Sequence, residues 1–314
     1  MYARDVKRDI TLDGSPSFLL NNYTAVPNQL SAFVRSNEVC IIKTNGDLKK
    51  LPIPKSKIHQ AKYLEIHRNY CLAVLSNLGI QIWSVDGEHM IFYYALSSAL
   101  GSEYEESRFM SGVTTDSNFL FAGCSSGNIL VFDASAGLSK SGFPLSQCLD
   151  SDKTAILSLS SSNKVLAAGN DAGSIFIYGI DSGLDRLVKL DGTGFPCTSL
   201  VQTDSVLVAG YGCGRIRLYR TDIFELYAEI TAHARLVSAL SLDPSREFVA
   251  SCSPDQFVHV WSIPNLENKA NSNVGCVFSE EVDSSVSTGV AFLDDQRLGL
   301  VAYDEDKVTV FSRA

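Results

Sequence analysis

Histidine, methionine and tryptophan are scarce in this chain: 314 residues carry five, three and two of them. So few histidines leave little material for a metal centre. The eight cysteines, at positions 40, 71, 124, 148, 197, 213, 252 and 276, are scattered and form no Cys-x-x-Cys pair. Zinc-ribbon spacing is therefore absent, and several thiols sit in apolar runs such as "YCLAVL" around Cys71, where a thiol behaves as a small hydrophobe. Buried free thiols in a reducing compartment are the expectation, with no cofactor and no metal. No apolar run has the length of a membrane-spanning helix, and the opening "MYARDVKRDI" lacks the apolar core of a secretion signal. The chain is expected in the cytoplasm, with the nucleus as the alternative, and without membrane insertion. Positive charge is short as well: the formal net charge is −9, which argues against nucleic acid as a partner. The densest basic stretch, "KKLPIPKSK", is broken by Pro52 and Pro54 and reads as a solvated loop. Low-complexity tracts and helical stripes are missing too, and the polar "GSEYEESRF" (101–109) reads as a connecting loop.

What is present is a repeat. At 314 residues the chain exceeds the usual size of one core, so internal periodicity has to be sought first. The segments "EVCII", "GIQIW", "NILVF", "SIFIY", "RIRLY", "FVHVW" and "KVTVF" end at Ile42, Trp83, Phe132, Tyr178, Tyr219, Trp261 and Phe311. These endpoints are 41, 49, 46, 41, 42 and 50 residues apart, the period of four-stranded propeller blades. Ten residues before them stand Ala32, Ala73, Ala122, Ala168, Ala209, Ser251 and Val301, so a small side chain is expected where neighbouring sheets converge. Each copy reads as a hairpin, preceded by an inner strand ("AILSLS", "CTSLVQ") and followed by an outer one ("DRLVKL", "ELYAEI"). The expected fold is all-β, a seven-bladed β-propeller of four-stranded antiparallel blades, with 1–314 as one domain. The last copy ends near the C-terminus, so the N-terminal strand "DITL" (9–12) is expected to pair with "KVTVF" and close the ring.

One copy is more complete than the rest. From His233 to Trp261 the sequence reads "HARLVSALSLDPSREFVASCSPDQFVHVW" and resembles a full repeat of the WD-repeat family. The resemblance implies a propeller scaffold in which His233, Ser251, Asp255 and Trp261 form a hydrogen-bonded chain within a blade. The side-chain chemistry suits that role: indole only donates, a hydroxyl does both, imidazole bridges, and a carboxylate fixes its tautomer. A catalytic triad has a similar alphabet but no use for tryptophan. Five copies carry Ala in place of Ser251, and their blades are expected to rely on apolar contacts.

Three short motifs invite catalytic readings. "GYGCG" (210–214) lies between two strands and opens no helix, so it reads as a turn rather than a phosphate loop; "DEDK" (304–307) reads as a hydrated acidic turn; and "NDAGSIF" (170–176) only partly resembles an aspartate box. The expected function is a non-catalytic protein-interaction scaffold, a monomeric propeller able to join a larger complex with partners of unknown identity. Positions seven before each endpoint (Arg35, Ser76, Ser125, Asp171, Gly212, Pro254 and Asp304) should crowd one end of the ring, with Tyr211 and Arg235 as anchors nearby. Two alternatives stand beside it: a propeller hydrolase or lactonase with a channel-mouth site, and a phospho- or ubiquitin-recognition module using converging arginines.

Overall fold

The computed structural model describes residues 2–98, 110–116, 118–138, 142–162, 164–264, 266, 273–282 and 286–313, so the 101–109 loop lies outside the described residues. Seven antiparallel sheets follow one another along the chain. Their strands lie within 24–52 (blade 1), 58–95 (blade 2), 110–150 (blade 3), 156–190 (blade 4), 197–231 (blade 5), 239–281 (blade 6) and 287–313 (blade 7). The only helical elements among the described residues are two 3-10 turns, Val6–Arg8 and Leu96–Ser98. Innermost strands neighbour one another in order around a complete circuit, blade 7 returning to blade 1. The fold is a seven-bladed propeller.

The core is divided among the blades. Seven apolar clusters occur, and each joins two adjacent blades. Ala167 and Ile177 of blade 4 meet Leu207 and Ala209 of blade 5, whereas Leu166 and Phe176 of the same blade meet Phe121 and Val131 of blade 3. Both faces of each interior strand are thus buried, which is why "IFIY" and "ILVF" are continuous apolar runs.

The seven endpoints all lie on third strands, and Ile42, Phe132, Tyr178, Tyr219 and Phe311 are buried against the preceding blade. The count of ten, however, does not keep its meaning around the ring. In blades 3 to 6 the residue ten before the endpoint pairs with the residue two before it, as Ala168 with Phe176 and Ser251 with His259. In blades 1 and 2 the hairpin turn is shorter, Arg35 pairing with Glu38 and Ser76 with Gly79, so Ala32 and Ala73 fall on the opposite face. In blade 7 the turn is longer and Val301 pairs with Val308. The structurally equivalent residues there are Phe33, Val74 and Leu300, so the small-residue site belongs to four blades rather than to seven. A one-residue change in turn length exchanges the two faces of a strand.

Every inner strand presents a free edge to the central channel, and its polar groups need partners. Side chains of the adjacent blade supply them. Thr24 Oγ1 accepts from Tyr63 N, Ser111 Oγ donates to Ile156 O, Ser158 Oγ donates to Cys197 O, Thr198 Oγ1 donates to Val237 O, and Ser241 Oγ accepts from Phe292 N. Between blades 2 and 3, Gln60 Oε1 accepts from Gly112 N and Lys62 Nζ donates to Val113 O. The last seam uses backbone, Asn22 N donating to Thr288 O at 3.0 Å.

Closure involves two N-terminal strands. Tyr2–Arg4 pairs with Phe311, Ser312 and Arg313, and Ile10–Thr11 pairs with Lys307 and Val308. The expected "DITL" segment supplies the second and smaller of these. Tyr2, buried between Phe278 and Phe292 with ring centroids at 5.7 and 6.4 Å, is the plug the sequence reading missed.

Candidate functional site

Residues 226–231 form the outer strand of blade 5, and the chain then turns inward to blade 6 carrying His233. The turn of "GYGCG" makes this path possible. Gly214 has φ +80°, and a Cβ there would stand 2.1 Å from His233 O. His233 and Ala232 both donate their N–H to Gly214 O. The glycine pattern therefore serves to seat the histidine loop, and it opens no helix.

The imidazole of His233 is buried. Its Nε2 lies 2.9 Å from Ser251 Oγ on the second strand, and Trp261 Nε1 on the third strand donates to the same oxygen at 2.9 Å. Its Nδ1 lies 3.1 Å from both carboxylate oxygens of Asp255, which also accept from Ala234 N at 2.8 Å and Phe257 N at 3.0 Å. Four side chains from a loop, two strands and a hairpin turn are thereby tied together. Burial works against the Asp255 carboxylate, but the His233 bond and the two backbone donors outweigh it and hold its pKa down to about 2. His259, absent from the sequence reading, stacks beside the chain with centroids 4.7 Å from His233 and 5.2 Å from Trp261. Burial, reinforced by His233, depresses its pKa to about 4, so it is neutral at pH 7.

His233→Ala removes one buried partner from the Ser251 hydroxyl and one from the Asp255 carboxylate, and should lower unfolding free energy by about 1–3 kcal/mol; urea denaturation followed by tryptophan fluorescence measures it. The depressed Asp255 carboxyl contributes stability above its unfolded pKa of 3.8 and loses it as pH falls toward 2. The wild-type advantage over Asp255→Asn should therefore be full at pH 6 and shrink between pH 4 and pH 2, by about 2 kcal/mol.

Blades without the serine are not purely apolar. Trp83 Nε1 donates to Gln81 Oε1 at 3.0 Å, Tyr178 Oη donates to Asp150 O at 3.2 Å, and Tyr219 Oη meets Tyr211 Oη at 3.1 Å. Trp83 and Tyr219 find their partners within their own blades and Tyr178 finds its partner across the seam in blade 3, which corrects the expectation that these blades rely on apolar contacts.

The hairpin turns of all blades gather at one end of the ring, and there the expected anchors separate. Tyr211 is fully buried, its hydroxyl spent on Tyr219 and its ring under Arg217, so it is no rim anchor. The inward placement follows from strand alternation: Tyr211 continues the apolar run of Val206–Tyr211 into the seam with blade 4. Ser76 is also buried, closing its own turn by donating to Gly79 O and accepting from Leu78 N. Arg35 is committed to Glu38 and Asp13, which fastens the N-terminal segment to blade 1. Ser125 and Pro254 are partly buried, whereas Asp171, Arg235 and Asp304 are exposed; Asp304 Oδ1 accepts from Val286 N. In "DEDK", Glu305 pairs with Lys307 at 3.1 Å. Among the described residues no three His, Cys, Asp or Glu side chains come together as metal ligands.

Other residues hold the exposed positions at this end. Phe18 and Tyr303 are 59% and 51% exposed and meet edge to face at 5.8 Å, and Phe195 is 51% exposed. Phe195 lies against Gly212, and Arg235 O against Gly214, so the two flank the blade 5 turn. Below them the channel is closed by the chain itself. Asn21 N donates to Ser238 O, its Nδ2 to Thr198 O, and its Oδ1 accepts from Ser199 Oγ. No periodic signal marks Asn21, because its side-chain partners Thr198 and Ser199 are about 180 positions away in sequence.

Seven radially packed sheets, one of them locked by a His–Ser–Asp–Trp chain, define a WD-repeat β-propeller. The WDR54 family model matches residues 51–314, and the chain belongs to that family. A rat protein, WD repeat domain 54 of Rattus norvegicus, is 30% identical over 322 aligned residues, covering 94% of this chain and 93% of the relative. WD repeat-containing protein 54 of Mus musculus is 30% identical over 233 residues, covering 71% of this chain and 68% of the relative. Its Homo sapiens counterpart is 28% identical over 253 residues, covering 77% and 74%. Among solved structures, a chain of the Crystal Structure of Mitotic Checkpoint Complex superposes with a TM-score of 0.79 at 15% identity, covering 99% of this chain and 93% of that one. At that identity the likeness concerns the fold.

Proposed function

We propose that the protein is a non-catalytic interaction scaffold that receives a protein partner on the hairpin-turn face. The observation that carries this reading is the exposed aromatic pair Phe18 and Tyr303, held on a rigid rim with Phe195 and Arg235 on the same face. Large aromatic side chains and arginine contribute most of the energy of protein interfaces, and a preformed surface spares ordering cost on binding. Because Asn21 bridges the channel at this end, the partner sits across the face rather than threading the ring. Membership of a WD-repeat family is in keeping with this. The phospho-recognition alternative is weaker, since Arg35 is already engaged by two carboxylates. The eight cysteines form no disulfide and five of them are buried, which supports a reducing cytoplasmic or nuclear setting. The test is affinity purification from the native cell with wild type and with Phe18→Ser/Tyr303→Ser/Arg235→Glu. Loss of at least one stoichiometric partner from the folded variant is expected; an identical partner list abolishes the assignment of this face.

A further inference from the structure

Six of the seven seams around the channel are stapled by neutral groups: threonine, serine or backbone amides. The seam between blades 2 and 3 adds a lysine. Lys62 Nζ donates one hydrogen bond, to Val113 O at 3.1 Å, which leaves two ammonium hydrogens uncommitted. No carboxylate among the described residues comes within ion-pair distance of it, and burial lowers its pKa to about 8 with no opposing charge to hold it up. A buried cation without a counter-ion is costly, and proteins usually pair such a charge. Here the exposure that Lys62 retains is to the channel, since it lines both the central cavity and the wider mouth below.

That cavity measures about 260 Å³. It is blind, because the Asn21 bridge closes the hairpin-turn end, and it opens at the opposite end into a mouth of about 510 Å³. Beside Lys62 stands Gln60, two residues away on the same strand face, whose amide oxygen is taken by Gly112 N while its NH2 has no described partner. Across the ring Leu200, Leu242, Val290 and Phe292 form an apolar patch, interrupted by the hydroxyls of Ser158, Ser199 and Ser241. The mouth carries Arg68 and Arg246 against Glu65, Asp116 and Asp204. Lys62, Arg68 and Arg246 balance the three carboxylates at the entrance, so the site offers no excess positive charge for a dianion. One ammonium, one amide donor and an apolar wall match a single negative charge on a short hydrocarbon body.

We propose that the blind channel binds a small monocarboxylate, its carboxylate received by the Lys62 ammonium and the Gln60 amide and its apolar part lying against the far wall. This site lies at the opposite end of the ring from the scaffold face, so the two readings stand or fall separately. The full-length protein is to be titrated at pH 6.5 with butyrate, benzoate and inorganic phosphate by ligand-observed NMR and calorimetry. Saturable binding of a carboxylate in preference to phosphate is expected, weakened about tenfold or more in Lys62→Met, whose fold is checked by thermal melting. In the wild type, the carboxylate should also shield Lys62 from reductive methylation, read by peptide mass spectrometry. That shielding, with Gln60→Leu as a second variant, decides the matter if Lys62→Met does not fold. Absence of saturable carboxylate binding, equal binding by Lys62→Met, a preference for phosphate, or unchanged labelling of Lys62 overturns the proposal.

Discussion

Deleting residues 1–12 should abolish the cooperative fold of all seven blades. The segment covers the open edge of Lys307–Arg313 with two strands. It adds hydrogen bonds from Leu12 N to Asp306 O at 2.7 Å, from Val310 N to Asp9 Oδ1 at 2.9 Å and from Ser312 Oγ to Asp5 Oδ2 at 3.0 Å. It also buries Tyr2 in the seam between blades 6 and 7, and Leu12 in the seam between blades 7 and 1. Two buried side chains at roughly 1.5–3 kcal/mol each and three hydrogen bonds at about 1 kcal/mol each sum to about 6–9 kcal/mol. A domain has only about 5–15 kcal/mol in total. The loss is not confined to blade 7, because each seam supports its neighbours around the ring. Circular dichroism and urea titration should show no cooperative transition for the truncated chain. Transplanting residues 1–12 behind Ala314 on a flexible linker should restore it, since closure depends on strand pairing and not on chain order. A truncated protein with an unchanged urea midpoint would refute this account of the closure.

The second large effect lies at Gly169. Gly123, Gly169 and Gly210 occupy equivalent second-strand positions in blades 3, 4 and 5, and a side chain of the following blade fills the space above each. A Cβ on Gly169 would lie 2.5 Å from Cys197 Sγ and 2.7 Å from Ser158 Oγ, and one on Gly123 would lie 2.5 Å from Ile156 Cγ2. The second strand of blade 4 cannot retreat, because its other face is packed on blade 3. Gly169→Val should therefore cost about 3 kcal/mol or more through overpacking. It should also weaken the Ser158 Oγ to Cys197 O staple across the same seam. Combining Gly169→Ala with Cys197→Ala removes the sulfur that clashes, so the pair should be less destabilised than the sum of the single variants. Simple additivity in urea denaturation would show that the blades do not meet through this contact.

Repeat number, strand type and the identity of the locked blade could all be read from the chain, because they are local. An alternating hairpin with a terminal aromatic needs no partner to be recognised, and His233, Ser251, Asp255 and Trp261 lie within one repeat. The rim was read less well. Counting seven back from each endpoint assumed turns of equal length, but blades 1, 2 and 7 depart from that length. Tyr211 has the residue type of an interface anchor, but its strand carries it inward. Phe18, Phe195 and Tyr303 had no periodic signal, since their exposure depends on how loops lie over the ring.

The sequence by itself determined the blades: period, strand order, the continuous apolar runs and the one complete hydrogen-bonded lock are nearest-neighbour properties along the chain. Only the tertiary structure decided what happens between distant repeats. It set Asn21 across the ring onto Thr198 and Ser199, Tyr2 against Phe278, and Lys62 into the channel. These contacts join residues that carry no mark of one another, because ring closure brings them together only after every blade has taken its place.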